Sequence, residues 1–78
     1  MLLNIPMSTH RNNSSHFEVR FSDGQVMVES VRNSVGGWAN FVRRVEQATG
    51  ERVRPTDETG RVWQVGERTA TVTRVWKQ

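Results

Sequence analysis

One stretch, residues 35–50, is the only part of the chain whose apolar positions recur at helical spacing. Trp38, Phe41, Val42, Val45 and Ala48 lie three and four apart and share one side of a helix. Ser34 precedes them as a natural N-cap, and Gly50 follows as a natural stop. The segments on either side alternate with a period of two. A lone amphipathic helix must bury its stripe against a floor, and only those flanking strands can supply one.

The chain has 78 residues, enough for one small domain and close to the lower limit for a self-sufficient core. It has no cysteine, so neither a disulfide nor thiolate chemistry supplements that core. A monomer or a homodimer is expected. The net charge of +3 is carried almost wholly by arginine, Lys77 being the single lysine. Arginine offers a planar fork suited to phosphate and carboxylate alike. A coding preference for arginine accounts for the same bias, and so small a net charge does not by itself mark a nucleic-acid binder.

Leu2, Leu3 and Ile5 are apolar, but Asn4 and Pro6 interrupt them and no basic region comes first, which argues against a secretory signal. No segment has the length of a membrane span. A cytoplasmic protein is the expectation, with Met7 an alternative start to Met1. Residues 8–15 are polar and aperiodic, so 1–15 reads as a disordered tail and 16–78 as the folded domain.

Phe17, Val19 and Phe21 alternate with polar residues, then Asp23-Gly24 signals a hairpin, and Val26 and Val28 continue on the return strand. A two-residue turn there pairs Phe21 with Val26, Val19 with Val28 and Phe17 with Ser30. It also opposes Glu18 to Glu29, which is unfavourable. Val31 breaks the alternation and suggests a bulge or a strand end.

Gly36-Gly37 falls in the first helical turn, where glycine costs about 1 kcal/mol relative to alanine. It implies close approach of another backbone, a partner or an anion, with clearance for Trp38 and a neighbouring strand the plainer reading. Glu46 is placed to pair with Arg43 on the solvated face. Residues 51–54 read as a short edge strand ended by Pro55, and 56–60 as an acidic loop. Residues 61–65 and 69–76 read as strands about a tight turn at Gly66-Glu67. Trp63, Val65, Ala70, Val72 and Trp76 then share one face, and Val62, Gln64, Thr69, Thr71, Thr73 and Val75 the other. The order predicts an α+β fold: an antiparallel sheet of four or five strands with one helix across a face. Trp38, Phe41, Trp63, Trp76, Phe17 and Phe21 would form its core.

Little here supports catalysis. His10 and His16 lie in or beside the tail, no metal-ligand spacing or cofactor motif occurs, and Gly36-Gly37 lacks the lysine of a phosphate-cradling loop. A non-enzymatic binding protein without cofactor or metal is the expectation. Arg61-Val62-Trp63-Gln64 and Arg74-Val75-Trp76-Lys77 echo each other, each with an arginine and a tryptophan on one face. Facing outward, such pairs suit phosphate contact and base stacking. Facing inward, the tryptophans are core and the arginines cover its rim.

In size and in its hairpin, helix, hairpin layout, the segment from Phe17 to Trp76 resembles small phage-encoded inhibitors of the anti-CRISPR type, though no motif carries the likeness. The resemblance implies stoichiometric occupation of a protein or ribonucleoprotein surface. The candidate contacts for that reading are Asn40, Arg43, Arg44 and Gln47 on the helix, with Asp57 and Glu58 in the acidic loop. The alternative is direct nucleic-acid binding by sheet arginines Arg20, Arg32, Arg61 and Arg74.

Overall fold

The computed structural model describes residues 14–76. Strands β1 (Ser14–Phe21) and β2 (Val26–Arg32) form a hairpin, helix α1 (Gly37–Thr49) follows, and β3 (Val53–Pro55), β4 (Val62–Val65) and β5 (Arg68–Val75) complete the chain. All five strands lie in one antiparallel sheet, ordered β2-β1-β5-β4-β3, with α1 packed on one face. The α+β architecture expected from the sequence is the one found.

The register of the first hairpin differs from expectation by one residue. The loop is three residues long, Ser22 to Gly24. Phe21 N–H donates to the Gln25 carbonyl at 2.8 Å, and Gly24 N–H donates to the Phe21 carbonyl at 2.9 Å. Gly24 has φ +98°, the left-handed residue that closes a three-residue loop. Val19 therefore faces Met27, and Phe17 faces Glu29. A one-residue slip turns every β2 side chain to the other side. Met27 and Val31 point to the core, while Val26 and Val28 stand 42% and 56% exposed on the open face. Val31 is neither a bulge nor a strand end, since pairing runs unbroken from Arg20↔Val26 to Ser14↔Arg32. The slip also removes the Glu18–Glu29 conflict, because Glu18 now opposes Val28.

The second hairpin follows the sequence reading. Val65 pairs with Arg68 across Gly66-Glu67, with Gly66 at φ +63° in the first turn position. Ser14 and Ser15 belong to β1, Ser15 being buried and its hydroxyl donating to Asn33 Oδ1 at 3.2 Å.

Helix α1 starts later than expected. Its N-cap is Gly36 at φ +86°, not Ser34, and no side chain caps it. Ser34 contributes its carbonyl to Gly37 N–H at 2.9 Å, and Val35 is fully exposed. A side chain at Gly37 would collide with the Arg32 carbonyl oxygen, so close backbone approach explains that glycine. Gly50, at φ +75°, ends the helix as expected, donating to the Glu46 carbonyl at 2.8 Å.

The core holds Phe17, Val19, Phe21, Val31, Phe41, Val45, Trp63, Val65, Ala70 and Val72, with Met27, Trp38, Val42 and Val53 against it. Trp63 is its largest fully buried side chain, and its indole N–H donates to the Gly60 carbonyl at 2.8 Å. That bond satisfies the polar atom that would otherwise make burial of the ring costly. Trp76 does not join the core; it is 74% exposed. The reason is topological. Pairing of β5 with β4 runs only from Val65↔Arg68 to Val62↔Thr71, and Arg61 receives the next bond, from Val72 N–H. Beyond that point β5 is flanked by β1 alone, so Arg74 and Trp76 sit on an overhang without a floor beside them.

Candidate functional site

The antiparallel pairing fixes two ends of the sheet. One gathers the start of β1, the end of β2, the N-terminus of α1, the 56–61 loop and the end of β5. There the arginines meet aromatic rings. The Arg74 guanidinium carbon lies 4.4 Å from the centre of the Trp76 ring. The Arg61 guanidinium carbon lies 5.1 Å from the centre of Phe17 and 5.6 Å from that of Trp38. Both arginines are exposed at residue level, and Phe17 pairs directly with Arg74 across β1 and β5. Trp38 in turn packs edge-on against Phe17 at 5.3 Å and Trp63 at 6.4 Å. Phe17, Trp38 and Trp63 thus form a connected ring cluster beneath Arg61, while Trp76 stands outside it with Arg74 as its ring partner. The two Arg-Val-Trp segments of the sequence divide: Trp63 is core with Arg61 at its rim, whereas Trp76 faces out with Arg74 on one side of its ring.

The other two sheet arginines lie elsewhere. Arg20 is on the open face, where it forms a solvent-exposed ion pair with Glu18 at 2.8 Å. Arg32 is exposed at the end of β2, with its backbone against Gly37. The four do not form one surface. Arg61 and Arg74 belong to the helix-side end, Arg20 and Arg32 to the open face.

The expected helix-face contacts are largely engaged within the fold. Arg44 donates from Nη2 to the Ser30 carbonyl at 2.6 Å and from Nε to Glu29 Oε1 at 3.2 Å, tying α1 to β2. Arg43 does not pair with Glu46; its Nη1 donates to Asn40 Oδ1 at 2.8 Å. Glu46 accepts instead from Val53 N–H at 2.9 Å, anchoring β3 beneath the helix end. Gln47 is exposed beside a shallow groove it shares with Arg43, Glu46 and Glu51. Asp57 caps its own turn, accepting from the Thr59 amide at 3.1 Å and the Thr59 hydroxyl at 2.7 Å, and Glu58 is exposed next to it. Nothing in the sequence pattern marked Arg44 as a tie, because its partners are 14 and 15 residues away.

His16 is half-buried within β1 rather than beside it, and His10 lies outside the described residues. Among the described residues no three His, Cys, Asp or Glu side chains gather as a metal would require, and no helix is long and apolar enough to cross a membrane. Comparisons with protein-family models, curated proteins and solved structures gave no match.

Proposed function

We propose that this chain is a non-enzymatic binding module that holds single-stranded nucleic acid at the sheet end bearing Arg61, Arg74 and Trp76. One observation carries the reading: a tryptophan 74% exposed, with an arginine 4.4 Å over its ring. Covering so exposed an indole with a partner would remove apolar surface from water, which is favourable. With Arg74 against one side of the ring, the other side is open to a flat partner. An unpaired base fills that role and brings a phosphate to the neighbouring guanidinium; a base inside a duplex has no free side to offer. Arg61, over Phe17 and Trp38, adds a second cation at the same end of the sheet.

The stoichiometric inhibitor reading, with Asn40, Arg43, Arg44 and Gln47 as the interface, has less support. Arg44 and Asn40 are committed to internal hydrogen bonds, and no large apolar side chain stands at the centre of that face to anchor a protein partner.

Fluorescence anisotropy with labelled single-stranded and duplex oligonucleotides at low salt tests the proposal. The single strand is expected to bind more tightly. Trp76→Ala should cost about 1–3 kcal/mol of affinity, the range for one stacked base. Arg43→Ala should leave affinity unchanged. Absence of binding to either oligonucleotide rejects the reading.

A further inference from the structure

The two edges of the sheet are unlike. On β3 the residues whose main chain faces outward are Val53 and Pro55, since Thr56 N–H bonds inward to Val62. Val53 N–H is taken by Glu46 at 2.9 Å, and proline has no N–H. This edge offers no free donor. On β2 the Phe21–Gln25 bond sets the alternation, so Val26, Val28 and Ser30 turn their N–H and C=O groups away from β1. Among the described residues only Arg44 reaches them, at the Ser30 carbonyl, which has a second lone pair to offer. Val26 and Val28 beside those groups are exposed. A seven-residue edge with unpaired main-chain groups and two exposed valines is a template for another strand.

We infer that β2 pairs antiparallel with β2 of a second copy, about a twofold axis at Val28, to make one continuous ten-stranded sheet. Outward-facing residues must meet outward-facing residues, which restricts the register to steps of two. Centring on Glu29 would set two carboxylates opposite each other. Centring on Val28 or on Ser30 gives equal overlaps that avoid this. Val28 is favoured because it brings both exposed valines into the seam and keeps the Arg44-bound Ser30 carbonyl off the axis. Val26 then lies opposite Ser30, and Met27 opposite Glu29, of the second copy. The second copy is favoured over an open chain of copies by the blunted β3 edge. Each protomer has one competent edge, so pairing closes at two.

Sedimentation velocity across micromolar to submillimolar concentration, combined with cross-linking, decides the matter. The native chain is expected to show a monomer–dimer equilibrium. Val28→Pro removes an outward N–H and leaves the β1–β2 bonds intact, so it should abolish the dimer. Val28→Lys, which keeps the backbone donor, should weaken it at least tenfold and serves if the proline variant fails to fold. In this cysteine-free chain, Val28→Cys should form an interprotomer disulfide on mild oxidation, and Glu29→Cys should do so far less. A monomer at every concentration overturns the inference. So does a dimer indifferent to Val28→Lys, or one that cross-links preferentially through Glu29→Cys. Oligonucleotide binding by the Val28→Lys monomer keeps this outcome separate from that of the nucleic-acid reading.

Discussion

Gly37 lies against the Arg32 main chain with no room for a β-carbon between them. The contact joins the end of β2 to the first turn of α1, and it sets where the helix crosses the sheet. Gly37→Ala should therefore destabilise the fold, although alanine is the better helix former, by about 1–3 kcal/mol, the usual range for an overpacked site. Urea unfolding followed by far-ultraviolet circular dichroism checks this. A stabilised variant would show that the loop yields at no cost.

The two tryptophans that follow arginine and valine should behave in opposite ways. Trp63 is fully buried in the core, so Trp63→Ala should cost about 3–5 kcal/mol, enough to unfold many small domains. Trp76 is exposed, so Trp76→Ala should change stability by no more than about 0.5 kcal/mol. Thermal melts of the two variants give the comparison. Equal losses would place Trp76 in the core.

At the opposite end of the sheet, the Gln25 amide, aided by the Arg68 guanidinium, holds the Asp23 carboxyl below its ordinary range. The Arg68–Asp23 bond is 3.1 Å, and Arg68 also donates to Gln25 at 2.7 Å. The folded state thus favours the ionised form. Its contribution is present above the unfolded-state pKa and is lost as pH falls through the lower folded value. Asp23→Asn should be less stable than the native chain near about pH 7, and the two should converge near about pH 2. Asp23 is solvent-exposed, so the difference should be small and should shrink in salt. A gap that persists in acid would point to turn geometry instead of charge.

The fold was legible in the sequence because its strongest patterns were local. The period of α1, the Gly66 turn and the alternation of β4 and β5 each need only neighbouring residues. The misplacements came from choices the local pattern does not decide. Asp23-Gly24 is compatible with both a two- and a three-residue loop, and that single residue decided whether Val26 and Val28 or Met27 and Val31 face the core. Ser34 is a good capping residue, but the space beside Arg32 admits only glycine at Gly37 and moves the helix start past it. Trp76 has the parity of a core residue, and only the end of β4 pairing at Val62 leaves it outside. The same limit applies to the candidate site. Arg61 reaches Phe17 and Trp38 only through tertiary packing, and Arg44 is tied to partners on β2. Arg74, by contrast, meets Trp76 two residues along the chain, a pair already visible in the sequence.

The division of the arginines gives the sharpest prediction about binding. If Arg74 neutralises a phosphate of a bound single strand, Arg74→Ala should weaken binding. It should also reduce the slope of log affinity against log salt by roughly 0.7. Arg20→Ala should leave the slope unchanged, since Arg20 is on the open face and paired with Glu18. Charge reversal at Arg44 is a poor control, because a glutamate there would confront Glu29 and loosen α1 from β2. Arg43→Glu leaves the α1–β2 tie intact, as the hydrogen bond of Arg43 is to Asn40 within its own helix. Salt titrations of the three variants, Arg74→Ala, Arg20→Ala and Arg43→Glu, therefore locate the contact. A slope change at Arg20 but not at Arg74 would move the strand to the open sheet. A loss at Arg43 alone would move it to the helix face.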